Sequence, residues 1–403
     1  MISTTRFTLP VCVVALMTLP HPSAAFTAPA LPPPTGTVVH VATVTELQTA
    51  VRHLKSNTTI VIAPGTYKLT RSLYVAGPLT NVGIRGATDH PADVTIVGPG
   101  MRNAHYGNVP YGVWVSWGVN GILIADVTIR SFFYHPIILN RDVHAPHVYN
   151  VHLIDAGEQF IKSNRDLVGA GNDDGVVEYS TLEYTTTAKN DYTNGIDVHN
   201  GANWIIRYNT FRNIVSPPGA PLAGPAVLMW HGSSNTITDS NVFVNCARGI
   251  YYGMTPGVLD HSGGIIRNNF VFRAAGHHGD VGISVNDSPG TQVLNNTVYQ
   301  SGTYGTSIEY RFPISTGLLI ANNLVDGVIL DRNGASATLE NNYTGAPAGM
   351  FVNAATGNLH LASTAIGAID QGVTLTNVTL DIDGDSRPLG VAYDIGADEY
   401  RPK

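Results

Sequence analysis

The most regular feature of this chain is a five-residue pattern of apolar and variable positions that recurs along its length. In each copy the second and fourth residues are mostly apolar, whereas the third and fifth vary. This alternation is typical of a β-strand that buries one face. The copies occupy residues 112–116, 136–140, 160–164, 195–199, 227–231, 249–253, 282–286 and 307–311.

A second series of short apolar segments lies between these copies, and each member carries an asparagine near its end. The asparagines are Asn209, Asn241, Asn269, Asn296, Asn323 and Asn342. They are separated by roughly 19 to 32 residues, which is the range expected for the coils of a solenoid. We expect their side chains to hydrogen-bond to one another along the stack. The two series predict an all-β fold, a single-domain, single-stranded right-handed parallel β-helix.

The two ends of the solenoid are predicted to differ from its coils. Residues 44–55 have helical spacing with Thr45 as the N-cap, and this helix is expected to cover the first coil. Near the C-terminus the repeat fades, and Asp381, Asp383 and Asp385 are interpreted as turn or surface residues. The predicted boundaries are a signal peptide at 1–25, a linker at 26–36, the β-helix with its cap at 37–365 and a C-terminal closing segment at 366–403.

The first residues have the features of a secretory signal peptide. Arg6 precedes an apolar run at residues 9–19, and small residues at 23–25 form a cleavage site. The run is shorter than the roughly 18 apolar residues that a membrane helix needs. We therefore expect a secreted or periplasmic protein without a membrane partner. Cys246, which remains after cleavage, is expected to be a buried structural thiol.

Composition and charge narrow the classes of partner. The formal net charge is −7, and 13% of the residues are charged. A nucleic-acid-binding surface needs a basic stripe, so we expect no nucleic-acid partner. A mildly acidic protein still binds an acidic polymer when its cations gather in one groove. We expect the protein to be a monomer.

Unlike functional groups gather at outward positions of four consecutive predicted strands. At roughly 4.8 Å per strand they span only about 15 Å. These candidate catalytic residues are Lys162, Asp197, His199, His231 and Tyr251. Long excursions at 165–175, 185–193 and 216–225 are inserted beside the same strands and are expected to wall a cleft. Polar and aromatic residues that extend this face are the candidate substrate-binding groups: Asn140, Asn164, Trp230, Asn286, Glu309 and Arg311.

In these segments the chain resembles the pectate-lyase-like superfamily of right-handed β-helix proteins, over nearly all of its length after the signal peptide. Within that superfamily, chondroitinase B and related alginate lyases carry a Gly-Glu-x-Glu motif that leads into Lys-Ser, and later an Arg-His-Gly segment. Residues 157–164 are similar to a shortened first motif, and residues 229–232 are similar to the second. The second Glu is absent here, and Trp230 stands at the position of the Arg.

The resemblance implies a secreted enzyme that degrades an acidic polysaccharide, with calcium as a candidate cofactor. It implies that Glu158 is a calcium ligand and that Lys162 is the base that removes the C5 proton of a uronic acid. The reaction would be a β-elimination.

The residues themselves leave the division of roles open. In β-elimination a base removes the proton next to the carboxylate, a cation or acid stabilises the new charge, and an acid protonates the leaving oxygen. His199 or Lys162 is the candidate base. His231 is its partner or the charge stabiliser, and Tyr251 is the acid. Asp197 is expected to orient His199 or to bind a metal.

Two kinds of metal site fit the residue types. Calcium takes oxygen ligands, which Glu158, Asp155 and Asp197 could supply. A transition metal accepts imidazole, which points to His199 and His231 together with Asp197.

Two other functions stay open. A glycoside hydrolase needs two carboxyl groups about 5 to 9.5 Å apart, whereas Asp197 and Glu309 are predicted four strands apart, roughly 19 Å. The loop carboxylates that could approach Asp197 instead are Asp173, Asp174 and Asp191. A non-catalytic binding or adhesion protein would use aromatic rings to stack on sugars. The rings available for this are Trp114, Trp117, Trp230 and Tyr251.

Overall fold

The structure is a computed structural model that describes residues 26–166, 168 and 170–402. In this part of the chain, the strands of three long sheets pair in parallel with strands of the preceding and following coils. Successive turns of the chain contribute strands to all three sheets, so the described residues form a parallel β-helix, as predicted. The predicted signal peptide at 1–25 lies outside the described residues.

The three sheets carry most of the described secondary structure. Sheet 1 contains Thr37–Val41, Thr58–Ile62, Thr80–Gly86, Val119–Ala125, Val143–His144, His147–Tyr149, Val176–Glu178, Ile205–Arg207, Ile237–Asp239, Ile265–Arg267, Gln292–Leu294, Leu318–Ala321 and Ala337–Glu340. Sheet 2 contains Gly65–Lys68, Val94–Val97, Thr128–Arg130, His152–Ile154, Thr181–Glu183, Thr210–Arg212, Val242–Val244, Phe270–Phe272, Thr297–Tyr299, Leu324–Val325 and Tyr343–Thr344. Sheet 3 contains Leu73–Ala76, Val113–Ser116, Ile137–Asn140, Ile161–Asn164, Ile196–His199, Val227–Trp230, Ile250–Tyr252, Ile283–Asn286, Thr306–Arg311 and Val328–Arg332.

Short elements complete the described part of the chain. Ser233–Ser234 pairs with His261–Ser262, and Phe351–Asn353 pairs with Asn358–Leu361. The helical elements are the α-helix Val44–Arg52 and the 3-10 helices Pro91–Asp93, Ala348–Met350 and Ala354–Thr356. Among the described residues no helix is long and apolar enough to cross a membrane.

Apolar side chains at equivalent positions stack in lines inside the β-helix. One line in sheet 3, with every member 0% exposed, is Val113, Ile137, Ile161, Ile196, Val227, Ile250, Ile283 and Ile308. Burial of an aliphatic side chain contributes about 1.5–3 kcal/mol. Because a shift of one residue would turn the line outward, this line also fixes which residues of sheet 3 face the outside.

The register corrects the sequence prediction at one strand. In Val227–Trp230, Leu228 is the partner of Asp197 and Trp230 is the partner of His199. Met229 holds the third position of this copy, where the alternation predicts an outward side chain, but it is 0% exposed and belongs to the core. His231, predicted to occupy the outward position at the strand end, instead follows the strand in the next turn.

The asparagine series forms the predicted ladder. Each side-chain amide donates to the side-chain oxygen of the next asparagine, at 3.0 Å from Asn209 to Asn241 and at 2.9 Å from Asn269 to Asn296. The same oxygens also accept backbone N–H groups, as in Asn241 N to Asn269 Oδ1 at 2.9 Å. The ladder therefore satisfies buried turn groups that strand pairing leaves unpaired.

We expect Asn269→Ala to lower the free energy of unfolding by at least about 2 kcal/mol, because each buried group left without a partner costs about 1–3 kcal/mol. Asn342→Ala, at the half-buried end of the ladder, should cost clearly less. Urea unfolding followed by circular dichroism measures both values. Equal losses in the two variants would mean that burial does not set the strength of the ladder.

The N-terminal cap differs in detail from the prediction. The helix ends at Arg52, and its N-cap is Thr43 rather than Thr45. The Thr43 hydroxyl accepts the Glu46 backbone N–H while the Glu46 carboxylate accepts the Thr43 N–H, which is a capping box. Leu47 and Val51 are buried in the core, so the helix covers the first coil as expected.

Residues 26–36 pack on the β-helix, which is not the behaviour expected of a free linker. The ring of Phe26 lies 5.4 Å from that of Tyr208. The Tyr149 hydroxyl donates to the carbonyl of Pro29, and Arg85 donates to that of Pro32 at 3.0 Å. The segment therefore runs along the outside of sheet 1.

The C-terminal segment lies along the flank of the solenoid rather than over its last coil. Asn295 donates to the carbonyls of Asp394 and Gly396 at 3.1 and 3.2 Å. Leu339 continues the inward stack of Ile320 but is 49% exposed, because no later coil covers it. Asp381 is a turn residue as predicted, but it is buried at 1% exposure.

Candidate functional site

The predicted cluster contains a hydrogen-bonded chain of three side chains on two neighbouring strands. Lys162 and Asp197 are register partners in sheet 3. The Lys162 Nζ donates to Asp197 Oδ2 at 2.7 Å and lies 2.8 Å from His199 Nε2. Lys162 and Asp197 are 4% and 2% exposed, so their charges are compensated within the protein rather than by water.

The electrostatics of this chain define its protonation. Burial alone would raise the pKa of Asp197, but the neighbouring His199 and the charge of Lys162 outweigh burial and hold the pKa at about 2. Asp197 is therefore a carboxylate that keeps Lys162 as an ammonium. Because an ammonium only donates, Nε2 of His199 must accept, which leaves the ring proton on Nδ1.

Trp230 connects Asp197 to the exposed edge of the cluster. Its Nε1 donates to Asp197 Oδ1 at 2.8 Å. Its ring meets His199 edge to face at 5.1 Å and stacks on His231 at 3.8 Å. The rings of His199 and His231 are themselves 4.6 Å apart. Trp230 thus fixes both imidazoles in place.

His231 is held in the turn after its strand and its side chain is 27% exposed. Its backbone N–H donates to Asp260 Oδ1 at 2.7 Å, and its Nδ1 lies 3.7 Å from the same oxygen. Partial burial lowers the pKa of His231, and the neighbouring His199 and Arg165 lower it further, against the opposing charge of Asp260. His231 is therefore a neutral, accessible imidazole at neutral pH.

The side chain of Tyr251 is buried and is not available as a proton donor beside the two imidazoles. It is 5% exposed and belongs to an apolar cluster with Leu228 and Val281, against which Trp230 and Tyr304 pack. Burial raises the pKa of its phenol well above the usual value. The prediction that Tyr251 protonates the leaving group is therefore corrected: its outward position is covered.

The candidate substrate-binding residues divide into two groups. Asn164 donates to Asn140 at 2.8 Å beside the cluster, where both are half-buried. On the other side, Asn286 is 3% exposed and donates to the Gly253 carbonyl. Glu309, also 3% exposed, is paired with Arg332 at 2.6 Å.

Asn286 and Glu309 are therefore internal scaffold groups, which corrects their predicted role in binding. The outward row of sheet 3 is covered at this end, so an outward position does not guarantee exposure. Arg311 is 28% exposed, and its guanidinium lies 4.7 Å from the ring of Phe312.

The carboxylates proposed for calcium do not converge. Glu158 lies 3.9 Å from Lys189 and 3.8 Å from His135, and burial raises its pKa. Asp155 instead accepts the backbone N–H and hydroxyl of Thr185 at 2.9 and 2.8 Å. These neighbours do not suit a calcium ion.

The imidazole set does not converge on a common metal position either. Among the described residues, ligand atoms of at least three His, Cys, Asp or Glu side chains come together only at His360, Asp383 and Asp398, outside the cluster. Asp197, His199 and His231 form no such group.

Two groups near the cluster were missed by the sequence analysis. Asp260 is fully buried and receives the N–H of His231, and it lies on a loop that carries no repeat signal. His135 is 6% exposed, and burial lowers its pKa to about 4. The sequence did contain a signal for His135. It lies just before the strand Ile137–Asn140, which is adjacent to the strand that carries Lys162.

Cys246 is buried, and burial raises the pKa of its thiol to about 12. This agrees with the predicted structural role.

Comparisons with known proteins agree with this fold. A family model described as a right-handed β-helix region matches residues 194–366. The structure is similar to an alginate lyase from Paenibacillus sp. str. FPU-7, with a TM-score of 0.52 and 17% identity over 76% of this chain and 95% of that one. It is also similar to PfbA, a surface adhesin of Streptococcus pneumoniae, with a TM-score of 0.53 and 14% identity over 75% and 86%.

No curated protein sequence matches the chain. The fold is thus a right-handed parallel β-helix, as predicted, and the distant resemblance to right-handed β-helix proteins is confirmed. At such low identity the two structural relatives show the fold alone.

Proposed function

We propose that this protein is an exported polysaccharide lyase that cleaves a uronic-acid-containing polymer by β-elimination. The observation that carries the proposal is the chain Asp197–Lys162–His199, which ends at a pair of accessible imidazoles on one face of the β-helix. An ammonium, a neutral base and a proton donor are the three groups that the reaction needs.

His231 is assigned as the base, because its lowered pKa keeps it neutral. It removes the C5 proton, the C4–O bond breaks, and a C4–C5 double bond forms. His199 donates its Nδ1 proton to the leaving oxygen while Lys162 donates a hydrogen bond to its Nε2. His231 returns its proton to solvent, and solvent restores a proton to Nδ1 of His199. Lys162 stays an ammonium throughout, and its charge stabilises the aci-carboxylate.

Lys162 is a poor base in this arrangement, because Asp197 holds its positive charge. The carboxylates near the cluster also do not suit calcium, so no step is assigned to a metal. The structural relative from Paenibacillus is an alginate lyase, which supports the same class of reaction on the same kind of scaffold.

The proposal is tested by incubating the purified protein with alginate, polygalacturonate, glucuronan, hyaluronan, chondroitin and dermatan. Formation of the unsaturated uronide, followed by its ultraviolet absorbance, is the expected result for one polymer. New reducing ends without that absorbance would indicate hydrolysis. If neither signal appears with any of these polymers, the proposal that the protein is an enzyme acting on them is contradicted.

The pH dependence of kcat/KM should report the base. Because the pKa of His231 is lowered below 6.5, more than half of the activity should remain at pH 6.5 and be lost as the pH falls further. The measurement is a pH series in buffers of constant ionic strength, with the folded fraction checked by circular dichroism at each pH. An acidic limb centred above pH 6.5 would rule out His231 as the base.

Hydrolysis is the second candidate, and one observation favours it. Burial raises the pKa of Glu158, as a general acid requires. Asp197, however, is buried and bonded to Lys162 and Trp230, which leaves it poorly placed as nucleophile or base.

A binding protein is the third candidate, and the relative PfbA is an adhesin. The exposed Trp117 and the half-buried Trp230 would suit sugar stacking in either case.

A further inference from the structure

The residue after most strands of sheet 3 adopts a left-handed backbone conformation. Glycine, asparagine and aspartate tolerate this conformation, whereas it strains bulky residues. The bulky residues at this position are Trp117 (φ 65°), Arg141 (φ 27°), His231 (φ 56°) and Phe312 (φ 69°). Strained residues of this kind cluster at functional sites, and His231 already belongs to the proposed site.

Trp117 and Arg141 lie next to each other at the C-terminal ends of neighbouring strands of sheet 3. His231 occupies the equivalent position after another strand of the same sheet. The Arg141 guanidinium is 4.2 Å from the centre of the Trp117 ring. Trp117 is 52% exposed. Together with Trp114, Asn140 and Arg165 they line a groove of about 290 Å³.

The charges of this groove are not balanced from within. Between described residues, no hydrogen bond or ion pair involves the guanidinium of Arg141 or Arg165. The carboxylate that lines the groove, Asp166, accepts the backbone N–H groups of Val168 and Ala170 at 2.9 and 2.8 Å. Among the described residues, two arginines thus face the groove without a hydrogen-bond or ion-pair partner, against the one carboxylate of Asp166, and this favours an anionic ligand.

The groove and the proposed catalytic cluster lie along the same sheet, sheet 3. Arg141, Arg165 and His231 follow the strands Ile137–Asn140, Ile161–Asn164 and Val227–Trp230, with one further strand between the last two. At roughly 4.8 Å per strand, Arg141 lies about 14 Å along the axis from His231. The charge of Arg165 reaches His231, since it lowers the pKa of that imidazole.

We propose that Trp117 and Arg141 form a subsite for one uronate residue of the polymer, away from the bond that is cleaved. The sugar ring packs on the indole, and the sugar carboxylate pairs with the Arg141 guanidinium. This proposal rests on the proposed function for its substrate class. It adds that the polymer lies across the strands, towards the N-terminal end of sheet 3.

The test is affinity electrophoresis in gels that contain each acidic polymer of the panel or its carboxyl-reduced, uncharged form. Arg141→Gln should weaken retention by the retaining acidic polymer roughly 10- to 100-fold, because a charge-assisted hydrogen bond is worth about 1.5–3 kcal/mol. Retention by the reduced form should be unchanged. Trp117→Ala should weaken both, and Arg401→Gln, in the C-terminal segment where the side chain is 66% exposed, removes the same charge as a control.

Retention that is equal in Arg141→Gln and Arg401→Gln would overturn the subsite, as would a wild-type protein that no polymer retains. The result is independent of turnover. If Arg141→Gln loses retention while no unsaturated product forms, the subsite stands and the lyase assignment falls. If the unsaturated product forms, and Arg141→Gln cleaves long and short substrates at the same rates as the wild type, the lyase assignment stands and the subsite falls.

Discussion

Lys162→Met is expected to lower the free energy of unfolding by about 3–5 kcal/mol, which is the usual cost of leaving one partner of a buried ion pair alone. Asp197 would keep the hydrogen bond from Trp230 but lose the ammonium 2.7 Å away. Chemical denaturation measures the loss. Lys55→Met, which removes an exposed lysine, should change stability by less than about 0.5 kcal/mol.

A double variant separates the structural role of Lys162 from its chemical role. In Lys162→Met/Asp197→Asn neither of these two buried side chains carries a charge. The amide oxygen of the new asparagine still accepts the hydrogen bond from Trp230. Stability should therefore return most of the way to wild type while activity stays lost. A double variant as unstable as Lys162→Met would show that the destabilisation does not come from the uncompensated carboxylate.

His231→Asn is expected to reduce kcat/KM by about 10²- to 10⁴-fold, the range for loss of a general base. Asparagine tolerates the left-handed conformation at this position, so the fold should be retained. Steady-state kinetics on the polymer identified above measures the effect, and thermal unfolding checks stability.

His53→Asn serves as the matched control, since His53 is exposed at the end of the cap helix. Its kinetics should match those of the wild type. Nearly full activity in His231→Asn would remove His231 from the mechanism and return the role of base to His199.

The fold could be predicted from the sequence because equivalent positions in successive coils of a solenoid carry similar residues. The asparagines that form the ladder stand out at regular intervals, and each apolar strand position is echoed in the next coil. The assignment of inward and outward positions was wrong at residues 227–231. Leu228, Met229 and Trp230 are all apolar there, so the alternation does not define a unique register. Only pairing with Ile196–His199 shows that Met229 is internal.

The ends of the molecule were harder to predict, since their contacts are not repeated. Residues 26–36 are rich in proline and have the composition of a linker, yet Phe26 and Pro29 pack on tyrosines of sheet 1. The C-terminal segment has no periodicity to show which surface it covers. Its position on the flank depends on contacts with single residues such as Asn295.

The sequence predicted which candidate residues lie close together, but not their burial or their hydrogen bonds. Outward alternation brought Lys162, Asp197 and His199 together because they lie on adjacent strands. It could not show that Tyr251 is covered by neighbouring side chains, or that Lys162 is locked to Asp197. Burial and hydrogen bonding depend on loops and packing that a strand pattern does not encode.

The most direct test of the central claim is the mass of the products formed from a defined uronate oligosaccharide. β-Elimination predicts that one of the two fragments is lighter by one water than the corresponding hydrolysis product, with the double bond at its non-reducing end. The same fragment should be absent with His231→Asn. Fragments with the masses of simple hydrolysis products would contradict the proposed elimination and assign the cluster to a glycoside hydrolase.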